Sequence, residues 1–176
     1  FASAGTLLCQ HGGVSEHASI QQICPYQDGL AAFNVHRSWG LLDKNGRVVL
    51  EPEFDWIDGF SDGLAAVGTH DEKTGYVNRN GELVLPPRFD SGREFSEGVA
   101  PVHVGDKWGY IDRLGQWALE PQFEDAYPFH SGVAIVQDDR SSLRLISRSG
   151  QTLHRIDGYS WVSVEAFNEH GLAVVE

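Results

Sequence analysis

Methionine is missing from the chain, position 1 included, so the 176 residues read as a fragment or a processed product. Cysteine is nearly missing: only Cys9 and Cys24 occur, 15 positions apart. That interval excludes Cys-x-x-Cys metal chemistry. A single disulfide between Cys9 and Cys24 is the expectation, contributing on the order of 3 kcal/mol by closing a short loop. It would suit an oxidising compartment. Two buried, reduced thiols are the alternative. Basic residues are scarce, 13 against 25 acidic ones, for a formal net charge of −12. This balance opposes phosphate backbones and anionic lipid surfaces and argues against a nucleic-acid role. It leaves room for a basic protein partner, or for solubility alone. Long apolar runs are absent: the longest are short stretches such as Gly63 to Val67, far below the roughly 18 residues a membrane-spanning helix needs.

What is present is globular and repetitive. Hydrophobic residues make up 41% and charged residues 22%, which excludes a wholly disordered or collagen-like chain. The tripeptide Gly-[Leu/Val]-Ala stands at Gly29, Gly63, Gly98, Gly132 and Gly171, with spacings of 34, 35, 34 and 39 residues. Such a fixed period marks a repeat array, and it outranks local readings. Three residues ahead of the glycine stands an aromatic, Tyr26, Phe60, Phe95 or Phe129, with Phe167 one residue further back. A second landmark is Trp39-Gly40-Leu41-Leu42-Asp43, matched by Trp108-Gly109-Tyr110-Ile111-Asp112; Thr74-Gly75 keeps only the glycine and Leu143-Arg144 neither. In Trp108-Gly109-Tyr110-Ile111 alternation puts Trp108 and Tyr110 on one face, as repeat core, and a bare Gly109 lets a neighbour approach.

A third landmark is a turn glycine, Gly46, Gly81, Gly115 or Gly150, seven residues after the tryptophan position. Asn45-Gly46 and Asn80-Gly81 predict tight hairpins in which both residues take positive φ. The following runs reach Pro52, Pro86-Pro87 and Pro121. Proline has no N–H for a ladder, so each strand is expected to end there. The expectation is an all-β fold, a single repeat domain over 1–176 of tandem hairpin units of about 34 residues, curved or closed like a propeller. The units run 29–62, 63–97, 98–131 and a degenerate 132–170, with a partial unit at 5–28 and a first strand of a further unit at 171–176. Little helix is expected, one short segment from Ser15 to Cys24 excepted, where Ser15 caps and Ala18, Ile20 and Ile23 face inward.

These landmarks resemble the bacterial WG-repeat family, also called KWG repeats. Lys107 to Asp112 matches its Lys-Trp-Gly-Tyr-Ile-Asp element, and Phe60-Ser61-Asp62-Gly63 and Phe95-Ser96-Glu97-Gly98 match its closing Phe-Ser-x-Gly. The resemblance covers about residues 29 to 176 and implies a structural module, often exported, with no shared catalytic motif. Residues Trp39, Gly40, Gly46, Gly81, Trp108, Gly109 and Gly115 then hold the repeat together.

Candidate chemistry is thin. The eight histidines scatter without the short spacing of a zinc site, so no metal and no cofactor is expected. Carboxylates recur at equivalent offsets: Asp43 with Asp112, Glu51 with Glu120, Asp55 with Asp90 and Glu124. A catalytic pair needs two unlike environments, whereas repeated positions share one and accept turn N–H groups. No nucleophile elbow, phosphate loop or His-Glu-x-x-His appears, so the chain is expected not to be an enzyme. The turns Asn34 to Ser38, Thr69 to Lys73, Val104 to Lys107 and Gln137 to Ser142 vary while their flanks hold. Binding is expected there, at His70, Asp71, Glu72, Asp106, Asp138 and Asp139, with Trp56, Trp117 and Trp161 as aromatic anchors or as packing rings. Ala2-Ser3-Ala4 has the small-residue pattern a signal peptidase accepts, pointing to a periplasmic or extracellular protein. The expected function is a non-catalytic module binding a protein partner outside the cytoplasm. An inhibitor or immunity protein neutralising a secreted toxin is one alternative. A carbohydrate-binding or glycoside-acting protein using the Trp117 to Glu120 stretch is another.

Overall fold

The computed structural model describes residues 20, 22–24, 29–139 and 142–157. These form 16 strands in four antiparallel sheets of four, and the described residues contain no helix. The chain divides into two compact units, one through Phe89 and one from Asp90. The first unit holds β1 (Gln22–Ile23), β2 (Leu30–Val35), β3 (Ser38–Asp43) and β4 (Val48–Phe54), then β5 (Trp56–Ile57), β6 (Leu64–Gly68), β7 (Thr74–Asn78) and β8 (Leu83–Phe89). The second holds β9 (Ser91–Gly92), β10 (Val99–Val104), β11 (Lys107–Asp112) and β12 (Trp117–Phe123), then β13 (Asp125–Ala126), β14 (Val133–Asp139), β15 (Ser142–Ser147) and β16 (Thr152–Asp157). Within every sheet the strands pair in chain order, the meander of a propeller blade.

Sequence pattern follows position in the sheet. The second strand of each sheet is covered on both faces, so its residues are small and apolar throughout: Leu64, Ala65, Ala66, Val67 and Gly68 are all buried. The fourth strand is an edge and alternates, Leu50 and Phe54 turning inward while Glu51 and Glu53 face solvent. Core clusters form around Leu41, Phe54, Ala65 and Val77 in the first unit, and around Tyr110, Phe123, Phe129 and Ile146 in the second. Tyr110 packs edge-on to Phe123 at 6.2 Å and against Phe129 at 4.9 Å.

Three local expectations are corrected. The fourth strands do not end at proline: β4, β8 and β12 run on through Pro52, Pro86-Pro87 and Pro121 to Phe54, Phe89 and Phe123. The missing N–H costs nothing on a free edge, and the register breaks there, Tyr110 pairing with Leu119 but Trp108 with Phe123. The bulged segment folds over Gly40, Gly75 and Gly109. A Cβ on Gly40 would stand 2.5 Å from the Leu50 carbonyl oxygen and 2.9 Å from the Pro52 nitrogen. The Trp-Gly and proline landmarks are thus two sides of one contact.

The second correction concerns the turns. At Asn45-Gly46 only Gly46 has positive φ, +78°. Its N–H donates to the Asp43 carbonyl at 2.9 Å, and the Asp43 N–H to that of Arg47 at 2.8 Å, a type I turn closed by a glycine bulge. Paired positive φ occurs instead at the Gly-Leu-Ala glycine, at Asp62-Gly63, Glu97-Gly98 and Ser131-Gly132. There Ser61 and Leu64 exchange both backbone hydrogen bonds, at 2.9 and 3.0 Å. Third, Gln22–Ile23, expected at the end of a helix, form strand β1 against Phe33 and Asn34; residues 15–19 lie outside the described residues. So does Cys9, and with it the disulfide; Cys24 is buried in the core of the first unit.

Candidate functional site

The carboxylates that recur are spent on the scaffold. Asp43 Oδ1 accepts the N–H groups of Asn45 and Arg47 at 2.8 and 2.9 Å. Asp112 Oδ1 does the same for Leu114 and Gln116, both at 2.9 Å, and Asn78 Oδ1 for Asn80 and Glu82. The Arg47 N–H is the chief cause that holds the Asp43 carboxyl below its ordinary value. An acceptor two residues ahead of Asn45 also explains the turn type, since it fixes Asn45 and Arg47 before Gly46 is reached.

The other recurring acids reach hairpin tips. Asp90 Oδ2 accepts the Gly105 N–H at 2.7 Å, and Asp55 meets Nδ1 of His70. Glu124, at the same offset, pairs with Lys107 at 2.5 Å. At the tips themselves Asp71, Glu72 and Asp106 are exposed, and His70 is 74% exposed. Asp138 is engaged by Arg144 at 2.5 Å. The side chain of Asp139, and Trp161 entirely, lie outside the described residues.

The rings divide into two arrangements. In the second unit Trp108 is half-buried, tilted against His103 at 5.3 Å and covered by the Arg93 guanidinium at 4.5 Å. Arg93 also lies 4.3 Å from the Tyr127 ring and bridges to Asp125 at 2.9 Å, and it donates to the Ala126 carbonyl. In the first unit Thr74 replaces the tryptophan, and Trp56 supplies a ring from β5 instead. It lies on Gly68, where a Cβ would come within 1.9 Å of its Nε1. Gly68 pairs with both Trp56 and Thr74, so the three positions form one substitution for the usual third-strand tryptophan. Trp56 remains 38% exposed, beside the tip that carries His70, Asp71 and Glu72. Trp117 is 37% exposed on edge strand β12, with the 77% exposed Leu114 in the preceding turn. The sequence therefore brings Trp56 to His70 and its acids, while Trp117 stands apart on another sheet.

Arg93 and Gly68 were not singled out by sequence reasoning. Arg93 occupies the offset of Asp58 and Tyr127, each of whose N–H groups donates back to a second strand, so the repeat offset alone marks it as a variable position. Among the described residues no group of three metal-ligating side chains converges. No helix among them is long and apolar enough to cross a membrane.

The repeat family described as WG containing repeat matches residues 39–71, 75–108 and 108–140. No curated protein matches the chain. Among solved structures, the computationally designed Ika8 protein is 14% identical with a TM-score of 0.54, over 80% of this chain and 50% of that one. A eukaryotic initiation factor is 15% identical with a TM-score of 0.55, over 85% of this chain and 46% of that one. The chain thus spans about half the length of these structures. At such identities the likeness is one of fold alone.

Proposed function

The chain belongs to the WG containing repeat family, and from that premise we propose that it is a non-catalytic module binding a basic protein partner outside the cytoplasm. One observation carries the reading: the polar groups that repeat are consumed in turns, whereas the exposed groups do not repeat. Asp43, Asn78 and Asp112 each hold two backbone N–H groups. Trp56, His70, Asp71 and Glu72 cluster at one tip without counterparts in the other sheets. Repeat proteins bind through such variable tips on a constant frame. An aromatic anchor rimmed by acids suits a lysine- or arginine-bearing surface.

The net charge of −12 supports a basic partner. Neutralisation of a secreted toxin is one form of this function, decided by the partner's identity. Export and the Cys9–Cys24 disulfide belong to the same proposal. The disulfide is checked by intact mass before and after reduction, which rises by two hydrogens if the bond is present. Capture from lysate and culture medium with the oxidised chain tests the function. A single stoichiometric partner whose association slows about tenfold on Asp71→Lys with Glu72→Lys supports it. No partner at low or moderate salt overturns it. A tryptophan fluorescence shift with glycans, lost in Trp117→Ala, would favour carbohydrate binding, which the exposure of Trp117 allows.

A further inference from the structure

We propose that the outer edge of β16 is a self-association surface, through which a second copy of the chain adds to the last described sheet. Every sheet ends in a fourth strand with a free outer edge among the described residues. Three of these edges are blunted. β4, β8 and β12 contain Pro52, Pro86-Pro87 and Pro121, and each breaks register twice. Proline removes a donor and a bulge twists the edge, two devices that keep sheets from joining. Self-pairing of β4 would in addition bring Glu51 and Glu53 of two copies together.

β16 has lost these safeguards. It carries no proline and only one irregularity, at Leu153, after which residues 154–157 pair without a break with Leu145, Arg144, Leu143 and Ser142. Leu153, His154 and Arg155 are exposed, Leu153 by 53%. The matched repeats end at residue 140, so β16 lies beyond the family pattern that supplies the proline. Its formal charge is zero, Arg155 against Asp157, on a chain of −12. An antiparallel two-fold between positions 155 and 156 covers the regular stretch and sets His154 opposite Asp157 of the partner subunit, twice. Opposite charges or a donor facing a carboxylate directly across an antiparallel pair stabilise it, and like charges do the reverse. A self-complementary register of this kind is what an isologous dimer requires.

The joint is short, so association belongs to the weak class, with a dissociation constant on the order of 100 µM. Sedimentation of the 176-residue chain over about 10 µM to 1 mM should show a monomer–dimer equilibrium, with amide protection of residues 152–157 rising with concentration. His154→Glu faces a carboxylate with a carboxylate and should weaken the dimer at least about tenfold. His154→Glu combined with Asp157→Lys restores opposite charges and should restore association. His154 is exposed, so the single variant keeps its fold, which an unchanged unfolding curve at low concentration confirms. A chain monomeric across the range overturns the proposal. So does a dimer indifferent to His154→Glu, which would use another surface, or one that the compensating change fails to restore.

Discussion

A Cβ on Gly109 would sit 2.7 Å from the Leu119 carbonyl oxygen and 2.8 Å from the Pro121 nitrogen, both backbone atoms that cannot rotate away. Gly63 is different: nothing lies within 4 Å of its Cβ position, but its φ is +77°. The two glycines thus answer to space and to backbone conformation, and substitutions separate them. Gly109→Ala should cost about 3 kcal/mol by overpacking, and Gly109→Asn no less. Gly63→Ala should cost about 1 kcal/mol, and Gly63→Asn less than that, because asparagine tolerates the left-handed region. Urea unfolding of the four variants checks the pattern; equal costs for alanine and asparagine at Gly63 would refute it. Tyr110 gives a prediction in pH. Burial lifts its phenol far above the ordinary range while its O–H donates to the Tyr127 carbonyl at 2.7 Å, and Tyr127 itself is raised by burial and then by Asp125. The folded state keeps protons that the unfolded chain releases above about pH 10. The unfolded state then binds fewer protons, so stability present below that pH is lost as pH rises further. Tyr110→Phe should cost about 1 kcal/mol at neutral pH and flatten part of the alkaline decline, read from unfolding midpoints at several pH values.

Among the elements, the β2–β3 hairpin is the most strained. Its two loop residues, His36 and Arg37, have φ of +50° and +72°, a turn that asparagine and glycine fill without penalty. Replacing them by Asn-Gly should stabilise the chain by about 1 kcal/mol; an unchanged or lower midpoint would show that these side chains supply compensating contacts. Two sheets of the second unit are joined by Arg93, which stacks on Trp108 and Tyr127 and bridges to Asp125, with side chains only about a quarter exposed. Arg93→Lys keeps the charge but loses the planar fork and should cost about 1–2 kcal/mol. Thermal melts of Arg93→Lys beside Arg93→Ala check this, and a lysine variant as stable as the parent would reduce the clamp to simple charge. Such elements were legible unevenly. The repeat, the hairpins and the all-β class follow from the spacing of Gly63, Gly98 and Gly132, because each landmark is a local backbone demand. The course through Pro121 and the placement of the paired positive φ were not, since the first depends on a neighbour folding over Gly109 and the second on Asp43 capturing the turn at Asn45.

Across the whole chain, what stays hidden in sequence is which acids are free. Asp43, Asp71, Asp112 and Asp138 look alike as letters, yet three are held by turn N–H groups or by Arg144 and only Asp71 stands exposed at a tip. Partnering is decided by contacts far apart in the chain, such as Asp90 with Gly105, which no local pattern encodes. Trp56 was legible as an anchor, but its bed on Gly68 depends on β5 pairing with β6. Turn-bound and ion-paired carboxylates still add to the long-range field, because a hydrogen bond leaves the charge in place. The field is therefore that of the full −12, while contact energy comes from the few free groups. Salt separates the two. With the screening length near 10 Å at 0.1 M, the association rate with a basic partner should fall about tenfold from low to physiological salt, while dissociation changes little. Asp71→Lys with Glu72→Lys removes near contacts and should raise dissociation without abolishing the salt slope, since most of the field remains. Stopped-flow or surface measurements of both rates at several salt concentrations discriminate the contributions. A salt-independent association rate would mean that the acidity serves solubility, and recognition would then rest on the Trp56 ring.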